Sequence, residues 1–144
     1  MEREKVLVVS IKPEYANKIF SGEKTIELRK CVPNIQSGDT ILIYVTAPVK
    51  AFKGIGKVKN IVEGTPTVIW NNYNKTSGIN KQAFFEYYSN TNKAVGILLS
   101  EIQELECEIA LEKIRTFLPK FSPPQTFKYS TMKEMQRVLN MTLA

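Results

Sequence analysis

Histidine is absent from this sequence of 144 residues. Without an imidazole there is no Ser-His-Asp or Cys-His catalysis, no histidine-ligated zinc or iron, and no imidazole switching near neutral pH. Any catalysis falls to Lys, Glu, Asp, Tyr, Thr, Ser or Cys. Cysteine is nearly as scarce. Cys31 and Cys107 stand too far apart for a Cys-x-x-Cys metal or redox motif and read as two reduced thiols, so neither a metal site nor a cofactor is expected. Long apolar runs are missing as well. The run from Val6 to Ile11, between Lys5 and Lys12, is shorter than a signal-peptide core and no small-residue cleavage site follows it. Nowhere do about 18 apolar residues run together, so a cytoplasmic protein with no membrane contact is expected.

With 43% of residues hydrophobic and 24% charged, the composition suits one globular domain over residues 1–144. Twenty basic against fourteen acidic residues give a net charge of +6. The charge is also segregated. Lys50, Lys53, Lys57 and Lys59 lie in residues 40–62, which hold no acid, whereas Glu101, Glu104, Glu106, Glu108 and Glu112 lie in residues 101–112, which hold no base. Such segregation predicts a positive surface opposite a negative one, with the lysine strand drawing in a nucleic-acid backbone. Lysines guarding an exposed strand edge would give the same pattern, and charge alone does not choose.

Residues 6–11 read as a strand buried on both faces. Pro13 opens a helix over residues 14–20 with Tyr15, Ile19 and Phe20 inward, and Gly22 ends it. Residues 25–30 alternate with period two, so Ile26 and Leu28 face one way while Glu27 and Arg29 face the other, about 6.6 Å apart along the backbone. Ser37-Gly38-Asp39 is a turn into a buried strand over residues 40–45. Residues 51–62 alternate again, which puts Phe52 and Val58 on the side of Gly54 and Gly56 and the lysines on the other. Helices are expected over 66–73 and 80–89, a strand over 94–102, a short helix over 110–114 and an amphipathic helix over 131–140 with Met132, Met135 and Leu139 inward. The proline-rich, aromatic stretch 117–127 should lie packed across the body. This order points to an α+β fold, a small, partly closed barrel of mixed strands with peripheral helices, the alternative being an open sheet.

The local feature richest in chemistry is the run from Gly22 to Arg29, where a helix runs into a strand and lets Lys24, Glu27 and Arg29 converge on one pocket. An exposed ion pair of no functional weight is the plain alternative. Ser10-Ile11-Lys12-Pro13, then Gly-x-Lys-x-x-Glu-x-Arg at Gly22, Lys24, Glu27 and Arg29, then Gly38-Asp39 before a strand resemble an ASCH domain of the PUA-like superfamily. Thr46 to Lys50 and Pro123 to Tyr129 resemble its branch of small predicted transcriptional regulators. The resemblance covers residues 6–129. It implies a β-barrel whose cleft, beside the first helix, binds RNA or modified nucleotides, with Lys24, Glu27 and Arg29 lining it and Ser10 and Lys12 at its rim. One ASCH branch deacetylates acetylcytidine with a lysine and a threonine three residues later. This sequence keeps the lysine as Lys24 but has Glu27 in the threonine's place, and Thr25 adjoins the lysine. Other members are associated with ribonuclease activity.

An acid beside two cations is expected to stay ionised near neutral pH. Such a carboxylate is a poor proton shuttle but a good fixed acceptor for a base amino group. Arg29 offers a planar fork to phosphate or base, and Lys24 a point charge to a phosphate. Tyr44 and Tyr129 are candidate stacking residues, and Gln125 could read a base edge or satisfy barrel backbone groups. Trp70, Tyr73, Phe84, Phe85, Tyr87 and Tyr88 read as the packing of two short helices. The leading expectation is therefore a binding module for RNA or a modified nucleotide, with DNA the other polymer it suits. A small metal-independent hydrolase using Lys24 and Glu27, and a protein-interaction module using the acidic 101–112 stretch and the terminal helix, are the alternatives.

Overall fold

The computed structural model describes residues 5–140. Its first strand, β1 (Lys5–Ile11), carries the apolar run Val6-Leu7-Val8-Val9, buried on both faces, and it lies inside the sheet between two neighbours. Leu7, Val9 and Ile11 enter the core under the first helix, and Val6 and Val8 enter the core on the opposite face. Helix α1 (Pro13–Ser21) starts on its proline and stops at Gly22, whose φ of 87° favours a residue without a side chain. The following strands are β2 (Ile26–Arg29), β3 (Thr40–Val45) and β4 (Ala51–Gly64). Helices α2 (Pro66–Tyr73) and α3 (Lys81–Tyr87) come next, each capped by a side-chain oxygen, from Thr65 and Asn80. The chain ends with β5 (Ala94–Ala110), α4 (Leu111–Phe117), β6 (Phe127–Thr131) and α5 (Met132–Leu139).

The strand order is β2-β5-β4-β3-β1-β6, with β1 parallel to β3 and every other pairing antiparallel. Three hydrophobic clusters hold the helices on this sheet. Ala16 and Ile19 of α1 cover Val9, Ile41, Ile43 and Ile97. On the other face, Ile114 of α4 and Met135 and Val138 of α5 meet Leu42, Phe52 and Ile109. Ile69 of α2, Phe84 of α3 and Tyr88 at the end of α3 pack behind Ile26 and Leu28. The ring of Phe20 lies on Gly54, where a Cβ atom would stand 2.3 Å from it, so this glycine allows the end of α1 to sit flush on the sheet.

The mixed sheet with peripheral helices is as the sequence predicts, but the hydrogen-bonded ladder ends at β2 and β6, so it is not closed into a barrel among the described residues. The seam is bridged instead by side chains. Arg29 on the edge strand β2 donates to the Ser10 carbonyl on β1 at 3.2 Å. The proline-rich stretch does lie across the body, with the Ser10 hydroxyl donating to the Pro124 carbonyl at 2.6 Å and Phe121 buried. Two readings are corrected. Phe52 and Val58 face opposite cores, because the β4 ladder slips between Phe52 and Gly54 and reverses the alternation. Strand β5 does not stop at 102 but runs to Ala110, so the acidic stretch is largely part of the sheet and pairs with β4.

Candidate functional site

A cavity of 660 Å³ opens between α1, β2, α3 and the proline-rich stretch. Strand alternation explains its floor. Ile26 and Leu28 are held in the core behind β2, so Glu27 and Arg29 must project from the other face. Glu27 Oε1 lies 3.3 Å from Arg29 Nη1, with the two side chains only 10% and 12% exposed, which makes this a sequestered pair rather than a solvated one. Arg29 is further fixed by its bonds to the Leu28 and Ser10 carbonyls. The other carboxylate oxygen, Glu27 Oε2, and the guanidinium Nε of Arg29 are buried without a hydrogen-bond partner. A buried polar atom without a partner costs about 1–3 kcal/mol.

Lys24, just past the helix end, is 4% exposed and donates its ammonium to the Ser77 carbonyl. The same ammonium lies 5.4 Å from the centre of the Tyr15 ring. Burial pushes the Lys24 pKa below the ordinary 10.5, against the pull of Glu27, while Arg29 and Lys18 push it further down. Burial raises the Tyr15 and Tyr87 phenols above 10.0, with Glu27 adding to both and Arg29 opposing the rise at Tyr87. Both hydroxyls therefore stay protonated at neutral pH.

Of the residues singled out in the sequence, Ser10, Lys12, Lys24, Glu27, Arg29 and Gln125 all line this cavity. Tyr44 does not: its ring is buried against Phe52 and Phe121, at centroid distances of 5.9 and 6.3 Å, which leaves no face for a stacked base. Tyr129 is exposed but lies outside the cavity, on β6, with its hydroxyl accepting from the Asn34 N–H at 2.6 Å and Lys5 over its ring. The lysine strand is corrected too. Because β4 and β5 are neighbours, the basic and acidic stretches sit side by side, not on opposed surfaces. Lys53 pairs with Glu104 at 3.7 Å and Lys57 donates to Thr40 Oγ1 at 2.9 Å, while Lys50 and Lys59 remain exposed.

Tyr15, Tyr87, Glu86 and Thr46 line the cavity without having been singled out as site residues. Tyr87 was hidden among the aromatics of α3, of which Phe84 and Tyr88 are indeed core. The signal that separates it is helical phase: Ala83, Glu86 and Tyr87 share one side of α3, and Phe84 and Tyr88 share another.

Comparison with known proteins agrees with this architecture. The family described as a domain of unknown function (DUF365) matches residues 5–121. An ASCH domain-containing ribonuclease of Zymomonas mobilis is 32% identical over 138 residues, which is 96% of this chain and 93% of that protein. The chain belongs to the ASCH family. The crystal structure of ASCH from Zymomonas mobilis is similar to this ASCH chain at a TM-score of 0.88 and 31% identity, over 94% of each chain. Human THYN1, solved in complex with DNA containing 5-methylcytosine, shares the fold at a TM-score of 0.60 and 11% identity, over 97% of this chain and 98% of that one.

Proposed function

We propose that this ASCH domain binds RNA and seats one nucleobase in the cavity beside Glu27. The observation that carries the reading is the unmet hydrogen-bonding capacity of two cavity-lining residues, the buried Glu27 Oε2 acceptor and the buried Arg29 Nε donor. A base edge presents a donor and an acceptor in one plane, and a carboxylate accepting from a base amino group is an established mode of readout. The volume of 660 Å³ lies within the range of about 300–1,000 Å³ usual for small-ligand pockets. Exposed Lys12 at the rim and the net charge of +6 favour a polyanion at the mouth. RNA is preferred over DNA because the Zymomonas relative is named a ribonuclease.

The test is equilibrium binding of labelled single-stranded RNA and DNA homopolymers at two salt concentrations. RNA binds more tightly, and affinity falls with salt as counterions are released. Glu27→Gln changes the preferred base, a discrimination of about 1–3 kcal/mol, while leaving the salt dependence as it was. Equal loss for every base would remove the reading role from Glu27.

RNA cleavage is the second reading, and the relative's name is what favours it. In it the ribose 2′-oxygen attacks the adjacent phosphorus, its proton passes to Glu27, the P–O5′ bond breaks, the leaving oxygen takes a proton from water, and the hydroxide so formed takes the proton from Glu27. Fragments ending in a 2′,3′-cyclic phosphate would support turnover; RNA that stays intact on prolonged incubation would restrict the domain to binding.

A further inference from the structure

Three polar contacts tie the junction between α1 and β2 to the turn Thr76–Gly78. The Thr25 N–H donates to the Thr76 carbonyl at 3.0 Å, the Lys24 ammonium to the Ser77 carbonyl, and the Lys18 ammonium to the Gly78 carbonyl at 2.9 Å. The turn lies directly on the stem of Lys24. Gly78 has a φ of 67°, and a Cβ built there would stand 2.9 Å from Lys24 Cβ. Ser77 is 1% exposed, with its hydroxyl donating to the Asn74 carbonyl at 3.1 Å. Three residues further on, Asn80 caps α3, whose Ala83, Glu86 and Tyr87 form one wall of the cavity. Lys24 is also the ammonium that a phosphate would be expected to meet at the cavity floor. It is buried and held by a carbonyl, while the nearby carboxylate oxygen Glu27 Oε2 has no partner.

We propose that Lys24 is a positioning residue: fastened to the Ser77 carbonyl, it sets the turn from which the α3 wall springs and leaves the second oxygen of Glu27 unpaired, to accept from a ligand N–H, instead of itself contacting phosphate. The proposal rests on the reading that RNA enters this cavity. It has a consequence that a phosphate-binding lysine would not share. Loss of the fastening weakens binding through the shape of the wall, and the number of counterions released stays the same.

The experiment measures affinity for a fluorescent single-stranded RNA over a range of salt, for the wild-type protein, Lys24→Met, Gly78→Ala and the double variant. Methionine keeps an unbranched stem without the charge. Alanine at 78 displaces the turn while every charge remains. Each single variant is expected to bind about tenfold more weakly, of the order of one lost charge-assisted hydrogen bond, with the wild-type salt slope. The double variant should lose no more than the weaker single one, because both act on one contact. A slope shallower by about 0.7, the value for one phosphate of a single strand, in Lys24→Met alone would overturn the proposal, as would losses that add in the double variant. Should Lys24→Met not fold, Gly78→Ala carries the test, and wild-type affinity there contradicts it. Hydrogen exchange without RNA reads the pin independently: amides of residues 79–88 exchange faster in Gly78→Ala while β1 stays protected, and unchanged rates contradict it. Absence of RNA binding by the wild-type protein overturns the reading of the cavity, and the pin is then judged on exchange alone.

Discussion

Glu27 and Lys24 show how one backbone junction can give two charged side chains opposite fates. Both are buried, but the carboxylate keeps an oxygen without a partner while the ammonium donates to a main-chain carbonyl. Burial of the ammonium carries a stability signature whose sign follows from linkage. The folded pKa of Lys24 is depressed below the ordinary 10.5, so between those two values the unfolded chain binds more protons than the folded one, and stability rises with pH across that window. The Tyr15 and Tyr87 phenols, raised above 10.0, act in the opposite sense and take stability away as pH climbs past 10. Urea midpoints measured from pH 7 to 10 should therefore show a rise due to Lys24 that is missing in Lys24→Met; identical profiles for the two proteins would mean that the ammonium is solvated.

At the level of elements, the pairing of β4 with β5 and β3 decides where the positive charge is useful. Lys53 faces Glu104 and Lys57 faces Thr40, whereas Lys12 follows β1 directly into the cavity mouth. Lys12→Gln should lower the salt slope of RNA binding by about 0.7, and Lys53→Gln should leave it unchanged. The reverse result would move the backbone track from the cavity to the β4 surface. The sequence makes the helix starts legible because Pro13 and Pro66 act locally, and it makes Glu27 and Arg29 legible because period two is a property of a single strand. It leaves the charge pairing illegible. Which strand lies beside β4 is a matter of topology, and the slip at Phe52 that turns this ring away from Val58 depends on the partner strand. Strand β6 is missed for the same reason: Phe127–Thr131 has little pattern of its own and becomes a strand by pairing with β1.

For the molecule as a whole, the open seam of the sheet and the cavity are one feature. The ladder ends at β2, and the cavity lies where β2 approaches β1, with Arg29 reaching the Ser10 carbonyl and Ser10 in turn holding Pro124. A closed ladder at this point would satisfy its own backbone and leave no recess; an unbridged one would expose both edges to pairing with other chains. ASCH membership was legible in the spacing from Ser10 to Arg29, but Tyr15, Tyr87 and the Ser77 carbonyl join the site only because α1 and α3 are brought together around that seam. The most direct test of the account is an amide chemical-shift titration of the folded protein with short single-stranded RNA. The account predicts saturable shifts at Ser10, Lys12, Glu27, Arg29, Tyr87 and Gln125, with residues 51–62 of β4 and 101–110 of β5 little changed. Shifts concentrated on β4 and β5, or no saturable shifts in the cavity, would contradict it.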